Sequence, residues 1–314
     1  MDDYIVIRTV VPLIILIGMG FFSRKMDFLK SGDERVLSAY IYYFALPALF
    51  FINMIETKFN EETLRFISAG IIPMFVVLII YNFLHIIFKF SRSTLYLIIV
   101  STIFGSLAFF GIPFIMFAFP TRHGEHLATL SAASISIVGV TISITVLELY
   151  KLEKSTIWEG LKQIVKRLSK NPLILSILFG VLLSVIGMEV PSPISTSLHM
   201  LGSTTSTVAV FMLGVFFYGR KYANIIGAFK LSLLRIVFLP IVALLTIRLF
   251  HLPDVERSIL ILMHSMPVAV SMIILSERYD FYKETIASLI LISSLGAMIY
   301  LNLWLLLLGY LEGF

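Results

Sequence analysis

Residues 102–120 read TIFGSLAFFGIPFIMFAFP, and residues 260–279 read LILMHSMPVAVSMIILSERY. Both stretches are apolar, of membrane-spanning length, and contain an internal proline, Pro113 or Pro267. Proline lacks a backbone N–H and its ring displaces the preceding carbonyl, so each stretch is predicted to be a broken helix. In a bilayer such breaks are tolerated only where protein or a water-filled cavity satisfies the freed backbone groups. Two matched breaks predict a binding site at the bilayer midplane, and two ordinary proline kinks are the alternative.

The composition is that of a polytopic membrane protein. Of the 314 residues, 59% are hydrophobic and 14% are charged, and the mean hydropathy is +0.98. A soluble domain is about half apolar and a quarter charged. The aromatic residues are scattered through apolar spans rather than among basic residues, which argues against nucleic-acid binding. The chain has no cysteine, so disulfides and thiolate chemistry are excluded. The acidic start lacks the basic region of a signal peptide, so we expect the first span to be retained.

Ten stretches are long and apolar enough to cross a bilayer, which takes about 20 residues. They are residues 4–22, 36–55, 66–88, 95–119, 127–150, 172–189, 196–218, 224–250, 257–276 and 285–311. Counted with their flanking turns, the connections after odd-numbered spans carry seventeen of the 24 Lys and Arg residues and those on the opposite side carry six, while Arg235 lies inside a span. Because cytoplasmic loops are enriched in Lys and Arg, we expect an integral protein of the cell (plasma) membrane with both termini extracytoplasmic.

A long connection, residues 151–171, divides the spans into two sets of five. Its apolar residues recur at helical spacing among basic ones, which predicts an amphipathic linker in the cytoplasmic interface; a regulatory or partner-binding helix is the alternative. Because five is odd, the second set enters the membrane from the opposite side. Pro113 and Pro267 fall in the fourth member of each set, 154 residues apart. We therefore predict an inverted repeat with residues 1–150 and 172–314 as its halves.

Several motifs together resemble the auxin efflux carrier family. The first span and its exit read VVPLIILIGMGFFSRKMDFL, the second contains YIYYFALPALFF, the fourth contains FFGIPF, the sixth opens with Asn171-Pro172, and the ninth contains MPVAVSMIILSERY. These motifs cover nearly the whole chain in the order of the family, which includes PIN-type carriers and microbial malate and malonate permeases. The resemblance implies an all-α membrane protein of ten transmembrane helices in two inverted five-helix repeats, with crossed, broken helices 4 and 9. This architecture is like that of bile-acid symporters and sodium–proton antiporters.

The resemblance also implies a scaffold bundle, a mobile bundle and export or exchange of a small organic anion at the helix crossing. The family often has Asn about seven residues before the first crossover proline and four after the second, where this chain has Ser106 and Ser271. Serine still donates a hydrogen bond but reaches less far, which bears on substrate identity. Half-helix N-termini would offer the anion free N–H groups. The predicted substrate-binding residues are Ser106, Phe109, Phe110, Gly111, Pro113, Met266, Pro267 and Ser271.

Ionisable residues inside the spans are costly, so each is a functional candidate. His264 is a candidate proton carrier because imidazole titrates near neutral pH, and a neutral histidine bonded to a neighbouring carbonyl is the alternative. We expect Arg235 near the cytoplasmic start of the eighth span, where it can snorkel to the interface or attract an anion. Glu148 is expected at a solvated helix end or in an ion pair with Lys151.

The sequence contains no catalytic constellation: it lacks a His-Glu-x-x-His motif, a Walker A loop and a cysteine nucleophile. We therefore expect a secondary transporter with no cofactor and no metal, whose partners are the anion, membrane lipid and a second copy of the chain. The central spans lack an acidic residue at mid-depth, which argues against sodium, a cation that favours oxygen ligands. The alternatives are a sodium-coupled symporter of bile-acid carrier type and an intramembrane metalloenzyme built on His85, His199 and His264.

Overall fold

A computed structural model describes residues 4–151, 162, 165–166, 168–219 and 222–312, and the described chain is helical. The helices are α1 (Tyr4–Lys25), α2 (Asp33–Glu56), α3 (Glu61–Phe88), α4 (Arg92–Ile103), α5 (Leu107–Ala118), α6 (Arg122–Lys151), α7 (Pro172–Ile186), α8 (Ser192–Phe217), α9 (Ile225–Phe250), α10 (Asp254–His264), α11 (Met272–Tyr279) and α12 (Lys283–Glu312). Six of them, α2, α3, α6, α8, α9 and α12, are long and apolar enough to cross a membrane. The all-α membrane class is confirmed. The predicted amphipathic linker lies mostly outside the described residues.

Side chains cap several of these helices where the sequence changes from loop to apolar span. Asn60, Ser91 and Asn171 accept hydrogen bonds from backbone N–H groups in the first turns of α3, α4 and α7. These N–H groups have no partner within their own helix, so each cap satisfies an otherwise free donor. Helix α7 ends at Ile186 and is followed by Gly187, whose φ of 73° is the left-handed conformation that glycine adopts without strain.

Helices α1, α2, α7 and α8 pack together, and we call them the scaffold bundle. Within it, the backbones of α1 and α8 touch through glycines. A Cβ atom built on Gly20 would lie 2.0 Å from the carbonyl oxygen of Phe211, and one on Gly214 would lie 1.9 Å from that of Ile17. No other residue type allows so close an approach, which is the usual role of glycine between membrane helices. The two helices therefore form a tight pair.

The remaining helices, α3–α6 and α9–α12, pack together as a second group, which we call the crossing bundle. Helix α6 contacts α3, α4 and α5, while α9 contacts α3, α10 and α12. The two bundles meet where α5 contacts α1 and α8 and where α6 contacts α2. Both helices that we predicted to be broken are in the crossing bundle.

Three of the described helices contain a π-helical segment that ends two residues before a proline. The segments are Ile41–Ala45, Leu107–Gly111 and Leu234–Phe238, and the prolines are Pro47, Pro113 and Pro240. Proline cannot donate to the carbonyl four residues earlier, and a wider turn accommodates its ring. For Pro240 that carbonyl belongs to Ile236, and it accepts a hydrogen bond from Trp304 Nε1 at 2.9 Å. These helices therefore continue through their prolines.

Connections that we predicted to be cytoplasmic contact one another. Tyr282, after α11, shares a hydrogen bond of 2.8 Å with Ser93 at the start of α4. Ser288 Oγ in the first turns of α12 donates to the carbonyl of Ala223 and accepts from its N–H. These connections therefore lie at one end of the molecule, as alternating spans require. Which side of the membrane this end faces stays a prediction.

Glu148 lies near this end and is buried, so the prediction of a solvated helix end was wrong, while the ion pair with Lys151 stays a prediction. Its exposed fraction is 5%, and Tyr279 Oη donates to its Oε1 at 2.6 Å. Helix α11 ends at Tyr279, so packing of the crossing bundle brings its hydroxyl to the carboxylate. A buried carboxylate needs such hydrogen bonds because it has lost its hydration.

Candidate functional site

Two interrupted helices cross inside the crossing bundle. Residues 104–106 separate α4 from α5, residues 265–271 separate α10 from α11, and we call these two segments the crossing. Gly105 and Val268 form an antiparallel bridge between them. Its hydrogen bonds run from the Ser106 N–H to the Pro267 carbonyl at 2.7 Å and from the Ala269 N–H to the Phe104 carbonyl at 2.9 Å. The two breaks therefore hydrogen-bond to each other through backbone N–H and carbonyl groups that have no partner in their own helices, as burial in a membrane requires.

One of the two prolines lies within its helix break and the other lies outside it. The second break contains Pro267, as predicted. The first lies at residues 104–106, well before Pro113, which is the second residue of the α-helical part Ile112–Ala118. The π turn Leu107–Gly111 accommodates the ring of Pro113, so α5 continues through this proline. The prediction that the first helix breaks at its proline was therefore wrong in position.

Most of the predicted substrate-binding residues lie at or beside the crossing. Ser106 Oγ is buried and has no hydrogen-bond partner among the described residues. Gly111 packs against two methionines, since a Cβ atom there would lie 2.9 Å from Met263 Sδ and 3.2 Å from Met266 Cγ. Phe109, Phe110, Pro113, Met266 and Pro267 are also buried, and Ser271 is half-buried before α11. Substrate contact by these residues stays a prediction.

Arg235 lies at the crossing and does not snorkel to the interface, so that expectation was wrong. It belongs to the π segment of α9 and is 0% exposed. Its Nε donates to the Met266 carbonyl at 2.7 Å, and its Nη1 donates to the carbonyls of Thr102 at 2.7 Å and Ile103 at 3.3 Å. Carbonyls at a helix C-terminus have no intrahelical partner and carry the negative end of the dipole. One side chain therefore joins the ends of both interrupted helices.

Among the described residues, no carboxylate pairs with the charge of Arg235. None of the ion pairs between described residues involves Arg235, and its Nη2 has no hydrogen-bond partner among them. A Cβ atom built on Gly105 would lie 1.7 Å from Nη2, so glycine is what leaves room for the guanidinium. Burying a cation is costly without an anionic or hydrogen-bonding partner. The crossing therefore offers a positive charge and a free donor.

His264, at the end of α10, ties that helix to α3. Its Nε2 lies 2.8 Å from the Gly70 carbonyl, in the turn that precedes Pro73. A backbone carbonyl has two acceptor lone pairs, so that of Gly70 can accept from outside its helix. Because a carbonyl only accepts, Nε2 carries the hydrogen, and Nδ1 has no partner among the described residues. This geometry matches the alternative of a histidine bonded to a carbonyl, and proton coupling stays a prediction.

The three histidines of the metalloenzyme alternative lie apart. His199 Nε2 is 2.9 Å from Glu56 Oε1 in an exposed pair, and the ring of His85 packs against Phe90. His264 is buried in contact with α3. Within the part of the chain that the structure describes, no three His, Asp or Glu residues form a group that could hold a metal ion. The geometry gives the metalloenzyme alternative no support.

A cavity of about 400 Å³ lies between α1, α2 and α8 on one side and α11 and α12 on the other. Its charged lining residues are Arg24, Glu34, Arg35, Lys283 and Glu284. Lys283 Nζ lies 2.6 Å from Asp280 Oδ1, and this hydrogen bond and the charge of Lys283 lower the pKa of the Asp280 carboxyl. The lining also includes Ile273, two residues beyond Ser271. The cavity therefore approaches the crossing between the two bundles.

The sequence is similar to known proteins along most of its length. A family model described as membrane transport protein matches residues 5–305. The uncharacterized transporter YfdV of Escherichia coli (strain K12) is 25% identical over 309 residues, covering 95% of this chain and 96% of that protein. The uncharacterized transporter MJ1031 of Methanocaldococcus jannaschii is 24% identical, covering 94% and 96%. A protein of Rhizobium meliloti described as a "Putative malonate transporter" is 24% identical, covering 91% and 90%.

Proposed function

Because the chain belongs to the membrane transport protein family, in agreement with its resemblance to the auxin efflux carriers, we propose that it is a secondary transporter of a small organic anion. Arg235 is the reason for proposing that the substrate is an anion. This cation is buried at the crossing, and its Nη2 has no partner among the described residues. A carboxylate would supply both the missing acceptor and the missing negative charge.

Other groups at the crossing favour the same ligand. Ser106 Oγ is a second buried donor with no partner among the described residues. Helices α5 and α11 both begin at the crossing, so the positive ends of two helix dipoles face it. Each hydrogen bond from a charged donor to the carboxylate would contribute about 1.5–3 kcal/mol. The apolar rings of Phe109 and Phe110 would exclude water around this polar centre.

We propose that transport proceeds by alternating access, with the crossing bundle moving against the scaffold bundle. The glycine contacts between α1 and α8 favour a scaffold that moves as one body. The cavity between the bundles is a route by which the anion would reach the crossing from one side. On the loop charges, that side is the cytoplasm of a cell whose plasma membrane holds the protein.

The arrangement of the bundles also supports an inverted repeat of residues 1–150 and 172–314. The scaffold bundle takes α1 and α2 from the first half and α7 and α8 from the second. The crossing bundle takes the later helices of each half, including one interrupted helix from each. In this proposal α4 with α5 and α10 with α11 are the fourth and ninth of ten membrane spans.

Malonate is the first substrate to test, because one relative carries that name. Purified protein is heated with malonate, malate, acetate or indole-acetate, and with malonamide as an uncharged molecule of similar size. A ligand that binds the folded state raises Tm with its concentration. We expect at least one carboxylate to raise Tm and malonamide to have no effect.

The ligand found in this way is then tested for counterflow in proteoliposomes, where external labelled anion should exchange for internal unlabelled anion. Saturable exchange without ATP is expected. Two results would contradict an anion site. Either malonamide stabilises the protein as strongly as malonate does, or none of the carboxylates stabilises it.

A further inference from the structure

We propose that Arg235 is a tethered cation, occupying a cage of backbone carbonyls that could hold a coupling cation, so that this chain binds its anion without sodium. The inference rests on the proposed anion transport. It also distinguishes this chain from a sodium-coupled symporter, in which a mobile cation would have to enter the crossing.

The cage consists of the carbonyls of Thr102, Ile103 and Met266. Thr102 and Ile103 are the last two residues of α4, and Met266 lies two residues beyond the end of α10, so no helical N–H is available to these carbonyls. In transporters with interrupted helices, such unwound carbonyls and helix C-termini are the groups that coordinate sodium. Here Nε and Nη1 of Arg235 donate to all three, at 2.7 to 3.3 Å. The guanidinium therefore makes the contacts that a bound cation would make.

The surroundings of the cage disfavour a second cation. A sodium ion would have to share the three carbonyls with a fixed positive charge, and like charges repel strongly in a buried environment. A buried carboxylate could offset that repulsion, but Glu148 accepts from Tyr279 at an end of α6, away from the cage. Gly105 completes the arrangement, because any side chain there would collide with Nη2.

The guanidinium also differs from a mobile ion because one of its donors, Nη2, bonds to none of the three carbonyls. Its Nη2 has no partner among the described residues, and Gly105, beside Nη2, immediately precedes Ser106. The same side chain can therefore hold both interrupted helices and present Nη2 to a carboxylate. In a sodium symporter these two roles require an ion that arrives and leaves with each cycle.

The first test uses the unaltered protein and measures the Kd of malonate from Tm shifts, in NaCl and in N-methyl-D-glucamine chloride of equal ionic strength. We expect the two Kd values to agree within about twofold. A malonate shift that requires sodium, or a Kd more than tenfold tighter in sodium, would overturn the tethered-cation proposal and leave anion binding intact. If no carboxylate shifts Tm in either salt, it is the proposed function that fails.

The second test removes the tether with Arg235→Ala and restores the cation as guanidinium chloride at millimolar concentration. We expect the variant to lose the malonate shift and to regain it with guanidinium, but not with N-methyl-D-glucamine. Arg248→Ala is the control, because it removes the same charge from the exposed end of the same helix; its malonate shift should be retained without guanidinium.

A purely structural arginine gives a different result in this second test. Guanidinium would then raise the Tm of Arg235→Ala without restoring the malonate shift, and that outcome contradicts the inference. If Arg235→Ala does not fold, Arg235→Lys keeps the charge with fewer donors, and an unchanged malonate Kd in that variant would contradict a role for the free guanidinium nitrogen. The comparison of the malonate Kd with and without sodium uses the unaltered protein, so it tests the proposal even if every variant fails to fold.

Discussion

Replacing Gly105 by alanine tests the crossing with the smallest perturbation that the chain allows. The φ angle of Gly105 is not positive, so the backbone accepts alanine without strain. A single methyl group is added where a Cβ atom would lie 1.7 Å from Arg235 Nη2 and 2.4 Å from its Cζ. Any effect therefore comes from collision with the guanidinium and not from the local conformation.

The expected cost follows from how far the guanidinium must move. Ordinary contact with a Cβ atom begins near 3.4 Å, so Nη2 has to retreat by about 1.7 Å. A shift of this size would carry the 2.7 Å hydrogen bonds to Met266 and Thr102 beyond bonding distance. A hydrogen bond from a charged group contributes about 1.5–3 kcal/mol, so we expect a loss of about 1.5–3 kcal/mol if one bond breaks and about 3–6 kcal/mol if both do.

The free energy of unfolding is measured by titration with sodium dodecyl sulfate in mixed micelles. Gly18→Ala is the matched control: Gly18 is a helical glycine whose added Cβ would meet nothing within 4 Å, and alanine there should stabilise α1 by about 0.5–1 kcal/mol. In an Arg235→Ala background, Gly105→Ala should cost less than about 1 kcal/mol, because the colliding group is gone. If Gly105→Ala is as harmless as Gly18→Ala in the unaltered background, Arg235 does not occupy the crossing as described.

Three further predictions address other parts of the molecule. His264→Gln keeps a donor for the Gly70 carbonyl, so stability should stay within about 1 kcal/mol, whereas His264→Leu should lose about 1–3 kcal/mol. Loss of pH-gradient-driven uptake in His264→Gln with intact counterflow would assign proton coupling to His264, and unchanged uptake would remove it from the mechanism. Trp304→Phe leaves the Ile236 carbonyl without its indole donor and should cost about 1–3 kcal/mol. Pro240→Ala supplies a new N–H and should reduce that cost; equal costs in both backgrounds would mean that the indole does not replace a missing helix bond. The chain has no cysteine, so single replacements report orientation: Glu189→Cys should react with an impermeant reagent outside intact cells, and Lys162→Cys only after permeabilisation, while the reverse pattern would invert the topology.

The membrane class and the second helix break could be predicted because both depend on local features. Long apolar stretches need a bilayer, and Pro267 opens its helix within a few residues of itself. The first break depends on contacts from the other half of the chain. Ser106 leaves the helix to donate to the Pro267 carbonyl, 161 positions away in the sequence, and no local pattern reports such a partner.

The depth of Arg235 in the membrane was predicted wrongly, because it was inferred from the sequence distance to the basic residues that precede it. Burial depends on which helices pack around a residue, and here α4 and α10 end against α9. A signal was available, since Arg235 is the one Lys or Arg residue that was not assigned to a connection or its flanking turns, and Pro240 follows it in the same span. An intramembrane arginine is by default a functional residue. Its partners, three backbone carbonyls, could not be identified from side-chain chemistry.

The π segments before Pro47, Pro113 and Pro240 have a consequence for comparing this chain with distant relatives. A π turn bonds each N–H to the carbonyl five residues back, so it holds one residue more than an α turn. A relative with an ordinary α-helix there would lack that residue. Single-residue gaps in alignments should therefore fall within these spans, at residues 41–45, 107–111 and 234–238, where insertions and deletions are normally assigned to loops. An alignment that forbids gaps inside helices would shift the register of Arg235 and pair it with the wrong residue in such a relative.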